Sequence, residues 1–196
     1  MPTLHLAQDE RADALLAGDP FALLLGMLLD QQIPMEKAFV GPAVVAGRLG
    51  VERLDPAAIA ALDAGRFAAL MAGPPAVHRY HTSMAARVQA LAAAVAQEYG
   101  GDARSIWAEV PTGAELVARL RALPGFGDQK ARIFTALLGK QFGVRPAGWQ
   151  EAAGDYGLPG HRSVADVVDE DSLLKVREVK RAAKAAARAT ARPGPK

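Results

Sequence analysis

Residues 123–130 read Leu-Pro-Gly-Phe-Gly-Asp-Gln-Lys, and residue types in that order suit one task, the holding of an anion. Gly125 and Gly127 flank a single apolar residue, Phe126, and glycine admits backbone angles and close approaches that a Cβ would block. Pro124 cannot continue a preceding helix because it has no amide hydrogen. The amides that open the next helix then face outward, and the helix dipole adds to their attraction for a phosphate. Lys130, within the following turn, is a candidate for neutralising that phosphate. Such contacts position a sugar-phosphate strand without reading its sequence. An ordinary tight turn between helices asks for one glycine and a packed apolar residue, as Phe126 would be; it does not ask for the second glycine.

Other chemistries are excluded or unsupported. Among 196 residues there is no cysteine, which removes disulfides, thiolate nucleophiles, iron-sulfur clusters and cysteine zinc sites. His78 and His81 have metal-like spacing but no third ligand near them, so no metal site is expected. No phosphate-cradling P-loop, nucleophile elbow or dinucleotide fingerprint occurs. The formal charge of +2 is unevenly spread: from Lys175 to Lys196 eight basic residues face one acid, leaving a net of −5 on residues 1–174. A basic end of this kind is compatible with a polyanion such as nucleic acid, and equally with a solvated helix. The first twenty residues carry acids early and lack a basic start followed by an apolar run, so no signal peptide is expected. The longest apolar run, Phe21 to Leu29, is far too short to span a bilayer. A soluble, cytoplasmic protein without a membrane partner is the expectation.

The elements that must position the joint read as helices. Apolar residues recur at helical spacing almost throughout, and alternating β-branched stretches are nearly absent, so the fold is expected to be all-α. Asp19-Pro20 opens a helix through Phe21, Leu24, Leu25, Leu28 and Leu29, and Pro34 opens the next. Asp55-Pro56 begins a short helix expected to end near Gly65. Another segment reaches Met71. From Ser83 a long amphipathic helix aligns Met84, Val88, Leu91 and Val95 and stops at Gly100-Gly101. Thr112 and Glu115 have capping-box spacing before Leu116, Val117 and Leu120. Beyond the joint, Ile133, Phe134, Leu137 and Leu138 form one face of a helix ending between Gly139 and Gly143. A short helix within 145–163 and a final one from Asp171 to about Arg188 complete the chain. With no repeat and no linker, residues 1–174 are expected to form one compact unit, with the hairpin at 113–139, followed by a basic helix and frayed tail over 175–196.

The stretch LPGFGDQKA (123–131) resembles the hairpin signature of the helix-hairpin-helix DNA glycosylases, the HhH-GPD superfamily of base-excision repair enzymes. Three further stretches agree in order: FALLLGMLLDQQIP (21–34), the aromatic-then-amphipathic HRYHTSMAARVQALAAAVAQEYGG (78–101) and ALLGKQFG (136–143). The resemblance covers roughly residues 20–145. It implies a two-lobed helical fold that binds double-stranded DNA across a central cleft, extrudes a damaged or mispaired base and breaks its N-glycosidic bond. Gly125, Gly127, Gln129 and Lys130 then lie at the phosphate contact. Gln31 and Gln32 match the Gln-Gln at the cleft edge, where a side chain, Gln32 above all, would fill the gap left by the flipped base. No organic cofactor is implied; a sodium, potassium or magnesium ion could bridge the hairpin carbonyls and a phosphate.

The chain departs from that pattern in two places. The family's essential aspartate lies about eighteen residues beyond the seventh position of the signature; here that position is Gln129, and the window is Pro146-Ala147-Gly148, without a carboxylate. Glycosidic cleavage develops positive charge on the sugar, which a nearby carboxylate stabilises. Candidates for the substitute are Glu151, Asp155, expected on the same helix face four residues on, and Asp30 beside the glutamines. Lyase-competent relatives also carry a lysine at the seventh position, where Gln129 supplies no amine. Lys130 stands one residue on, about 100° around the helix, so lyase activity is not expected. Trp149 and Tyr80 are candidates to stack on an extruded base, and Trp149 is equally a candidate core residue. The sequence thus points to a monomeric, monofunctional DNA N-glycosylase without an iron-sulfur cluster. The alternatives are a non-catalytic binder of bent or lesion-containing DNA and a helical interaction protein.

Overall fold

The computed structural model describes the backbone of residues 2–190 and the side chains of residues 2–186. Ten α-helices carry the described residues: α1 Glu10–Gly18, α2 Pro20–Leu29, α3 Met35–Leu49, α4 Pro56–Ala61, α5 Ala64–Ala72, α6 His81–Glu98, α7 Gly113–Ala122, α8 Asp128–Gln141, α9 Trp149–Ala153 and α10 Glu170–Thr190. The fold is all-α; the described residues contain no strand beyond one isolated bridge between Thr112 and Ala147. The tail is expected over 189–196; α10 instead continues through Thr190, and residues 191–196 lie outside the described residues.

Aspartates set the helix starts. Asp19 accepts hydrogen bonds from the amides of Phe21 and Ala22, and Pro20 supplies a fixed φ at the first position. Its second oxygen takes the Leu54 amide at 2.7 Å, so this buried carboxylate also fastens the 50–55 loop to the start of α2. Asp55 caps α4 in the same way. The helix expected to run to Gly65 instead ends at Ala61, because Asp63 accepts from the Arg66 amide and starts a new one. α6 begins at His81, two residues before the expected Ser83.

α2 is apolar on every side because it is buried on every side, from Phe21 through Leu29. Each of its leucines contributes about 1.5–3 kcal/mol on leaving water. It packs on α1, α3 and α6, while α4 and α5 lean on α6. α7, α8 and α9 form a second mutually packed set, with α8 touching the 3-10 turn Val164–Asp166, on which the start of α10 also packs. Lys140 of α8 pairs with the nearly buried Asp166 at 2.6 Å and secures this return. α10 is tied back to the first set by an ion pair between Arg177 and Glu36 of α3. α2 and the α7–α8 hairpin meet where Leu28 lies against Gly125.

Candidate nucleic-acid interface

The hairpin is closed by the Phe126 amide donating to the Leu123 carbonyl at 3.0 Å. Phe126 is buried, its ring edge-on to Phe134 with centroids 6.0 Å apart. The two glycines answer to different causes. Gly125 has φ +82°, and a Cβ there would sit 2.4 Å from Cδ1 of Leu28, so the chain's own packing requires glycine. Gly127 has φ −78° and ψ 176°, which any residue adopts, and a Cβ there would meet nothing within 4 Å. Nothing among the described residues accounts for the second glycine.

Gly127 is also the residue that opens α8, and no side chain caps that helix. The first intrahelical bond runs from the Ala131 amide to the Gly127 carbonyl. The amides of Gly127, Asp128, Gln129 and Lys130 therefore have no acceptor among the described residues, and Gly125, Gly127, Asp128 and Gln129 are exposed. This is an open row of donors at the positive end of a 14-residue helix. Asp128 opposes an incoming anion, but its carboxylate is held by Arg132 at 2.8 Å and faces Arg121 at 3.8 Å, leaving one net positive charge in the group. The carbonyls of Gly125 and Phe126 accept no hydrogen bond among the described residues. Two such carbonyl oxygens are ligands of the type a hard cation takes.

Lys130 does not face outward as a phosphate counter-ion. Its ammonium donates to the carbonyls of Met27 at 2.6 Å and Leu28 at 3.1 Å, the orphan acceptors at the C-terminus of α2. α2 has no basic residue in its own last turn, and Lys130 supplies the missing cation from another helix. Burial lowers its pKa to about 8; Asp30 nearby acts in the opposite direction, while Arg87 and Lys180 add to the lowering. Gln129 donates through Nε2 to the Tyr156 hydroxyl at 2.9 Å, which links the hairpin to the segment after α9.

The loop after α2 stands directly beyond these carbonyls. Gln31 is fully engaged: Nε2 donates to the Leu28 carbonyl at 2.7 Å, Oε1 accepts from Arg87 at 3.0 Å, and its carbonyl lies 2.8 Å from Nε2 of His78. Nδ1 of the wholly buried His78 accepts the Tyr80 amide, so Nε2 carries the hydrogen and donates to Gln31. Gln32 is the opposite case, exposed and without a side-chain hydrogen bond among the described residues, with φ +58°. A left-handed non-glycine residue costs about 1–2 kcal/mol and is a reason to look for function at that position.

The candidate carboxylates are far from equivalent. Asp30 ends α2, its side chain 15% exposed, with Lys180 of α10 at 4.0 Å. Glu151 and Asp155 are both exposed, and they do not share a regular helix face as expected: α9 stops at Ala153, and the positive φ of Gly154 turns the chain into the 3-10 turn Gly154–Gly157. The window Pro146–Gly148 is held against residues 111–113 by reciprocal bonds, Ala147 to Pro111 and Gly113 to Ala147. Trp149 packs its ring on Gly139 of α8, where a Cβ would approach to 2.4 Å, and so fastens α9 to α8 rather than standing free to receive a base. Tyr80 remains 45% exposed, under the Arg79 guanidinium at 4.7 Å and 5.9 Å from the His78 ring.

The structure thus gathers Asp30, Gln31, Gln32, Lys130 and the start of α6 around one helix end, and leaves Glu151, Asp155 and Trp149 with the α8–α9 packing. Sequence reasoning missed Arg87 and Lys180, because no local spacing brings α6 or α10 to Asp30. Two cavities, of about 620 and 460 Å³, lie elsewhere, one around the N-terminal residues His5 and Asp13 and the other beside Trp107 and Phe142. Among the described residues no group of three or more His, Asp or Glu side chains is placed to hold a metal ion, and no single helix is long and apolar enough to cross a membrane. Comparison with protein-family models, with curated proteins and with solved structures gave no match to this chain.

Proposed function

We propose that the protein binds double-stranded DNA at the 123–130 hairpin and acts in base-excision repair as a monofunctional N-glycosylase on a damaged or mispaired base. The observation that carries the proposal is the uncapped row of amides from Gly127 to Lys130, exposed over its first three residues and opening at a glycine that packing among the described residues does not require. A phosphate seated there brings the strand past the α2–α3 loop. Gln32 is the one side chain at that edge free to enter the duplex, and the unstacking that precedes extrusion costs a few kcal/mol. The reading carries a two-lobed arrangement in which α1–α6 and α7–α10 form the walls of the cleft.

In this reading Asp30 is the carboxylate. It lies beside Gln31 and Gln32 and close enough to Lys130 to act on its charge, and it is mostly withdrawn from water, where an anion stabilises a developing cation more strongly. As the bond between C1′ and the base nitrogen breaks, the base leaves with the electron pair and takes up a proton. Asp30 stabilises the cationic sugar and orients a water, whose oxygen bonds to C1′ as its proton is lost. Lys130, hydrogen-bonded to two carbonyls, and Gln129, which has no amine, give no reason to expect a Schiff base.

The second reading, a binder of lesion-containing DNA without catalysis, is favoured by Lys180 standing 4.0 Å from Asp30, since a paired carboxylate is a weaker catalyst. Single-turnover assays decide between the two, using duplexes that hold uracil, alkylated purines, 8-oxoguanine or mismatches. Base release is expected for at least one substrate and should fall at least 100-fold in Asp30→Asn, with duplex affinity retained. Release unchanged in Asp30→Asn would remove that residue from the chemistry. Tight lesion binding without release from any duplex would establish the second reading.

A further inference from the structure

The basic half of α10 buries none of its described side chains. Residues 178–186 are all exposed, although the helix continues to Thr190, so it overhangs the body. At about 1.5 Å per residue, 181–190 extends about 15 Å past Lys180. Two side chains fix which way this overhang faces. Arg177 pairs with Glu36 at the start of α3, and Lys180 approaches Asp30 at the end of α2, so that side of the helix faces the α2–α3 junction. At about 100° per residue, Arg181 stands about 40° to one side of Arg177 and Lys184 about 20° to the other. Both therefore point to the side where Gln32 and the hairpin lie, past the edge of the protein that would cover them. Neither has an ion-pair partner among the described residues, and no acid follows Glu178.

From this placement we infer that the overhanging half of α10 is a phosphate-binding arm that holds the duplex on the flank of the nucleotide presented at Gln32. The inference rests on the DNA reading above and adds a second, sequence-independent contact to it. Charge complementarity selects the partner, since the basic run stands against a body of net −5 and sits beside the proposed phosphate site. A lipid surface fits worse: from Lys180 to Thr190 the helix offers only Ala, Lys, Arg and Thr, with no bulky apolar side chain to insert.

The test is the salt dependence of duplex binding for the full chain and for Arg181→Gln/Lys184→Gln, two exposed positions changed to a good helix former. Removing two phosphate contacts should lower the slope of log K against log salt by about 1.8 and weaken binding roughly 10- to 100-fold at about 0.1 M salt. Undamaged and lesion duplexes should be affected alike. An unchanged slope, or a loss confined to lesion duplexes, would overturn the arm. A parallel measurement on Gly127→Asp separates this from the parent reading: a hairpin variant that binds poorly beside an α10 variant that binds normally defeats only the arm. A wild-type protein that ignores duplex DNA defeats both. Binding of the wild type, but not the α10 variant, to phosphatidylserine vesicles, with duplex affinity equal in the two, would reassign the helix to a membrane.

Discussion

Gly127→Asp should make the protein more stable and worse at binding DNA. The backbone at Gly127 already has the extended conformation of a helix cap, with open space where a Cβ would go. An aspartate there would accept from the amides of Gln129 or Lys130, as Asp19, Asp55 and Asp63 do for their own helices. Replacing glycine by aspartate at a cap gains a few tenths of a kcal/mol, and loss of glycine's freedom in the unfolded chain adds about 0.4–1 kcal/mol. The same carboxylate occupies the donors that would otherwise meet a phosphate and places a negative charge in their midst. A hydrogen bond to a charged group contributes about 1.5–3 kcal/mol, so the loss of one such contact alone weakens binding roughly 10- to 100-fold. Thermal denaturation reads the first effect and fluorescence anisotropy with a short duplex the second. Gly127→Ala, which has the entropic gain without the charge, should bind better than Gly127→Asp. A Gly127→Asp protein that melts higher and binds DNA as the wild type does would refute the hairpin as a phosphate site.

Three further substitutions probe the surroundings. Gly125→Ala meets both a positive φ and the Leu28 methyl and should destabilise by about 1–3 kcal/mol, visible as a lower Tm with unchanged composition of the folded state by circular dichroism. Gln32→Gly relieves about 1–2 kcal/mol of left-handed strain against about 0.4–1 kcal/mol for glycine's freedom in the unfolded chain, so stability should rise by about 1 kcal/mol or less, while lesion binding and base release fall; unimpaired release would show that Gln32 does not enter the duplex. Lys130 has a folded pKa of about 8 against its ordinary 10.5, so between those values the unfolded chain binds the proton more strongly. Wild-type stability relative to Lys130→Met should therefore rise from pH 8 to 10.5, by at most about 3 kcal/mol, and be flat below. Urea titrations of both proteins across that range would measure it, and a falling difference would contradict the buried ammonium.

What the sequence made legible was local. Asp-Pro pairs at 19–20 and 55–56, the Gly-Gly stop after α6 and the turn at 124–127 are decided by backbone sterics and capping within a few residues, and each lies where spacing puts it. Asp63 shows the limit: the same residue type inside an alanine-rich run can continue a helix or cap the next, and only the packing of α5 on α6 decides. Contacts across the chain were illegible. Nothing around Lys130 announces that its amine will close α2, more than a hundred residues earlier, nor does anything around Gly139 announce that it is bare to admit Trp149. The expectation that Glu151 and Asp155 align failed for a subtler reason, since the helix pattern continues through 154 but the backbone does not.

The end of α2 organises the whole region, and its composition explains why. An all-apolar helix leaves its last carbonyls inside the protein without a cation of its own, and such acceptors are costly to leave unpaired. Two donors from elsewhere converge on the Leu28 carbonyl, Lys130 Nζ from the hairpin and Nε2 of Gln31 from the loop, and the Leu28 side chain fills the space left by Gly125. The position of the lysine makes this possible: at 130, about 100° around the helix from the exposed Gln129, the amine lies against α2 rather than on the exposed face of the hairpin. The hairpin and the α2–α3 loop are thereby locked to one another. Within that lock, among the described residues, each polar side chain of the hairpin and loop has a partner except Gln32, which is exposed at a left-handed backbone position, and the wedge proposed for Gln32 would need a rigid frame of this kind.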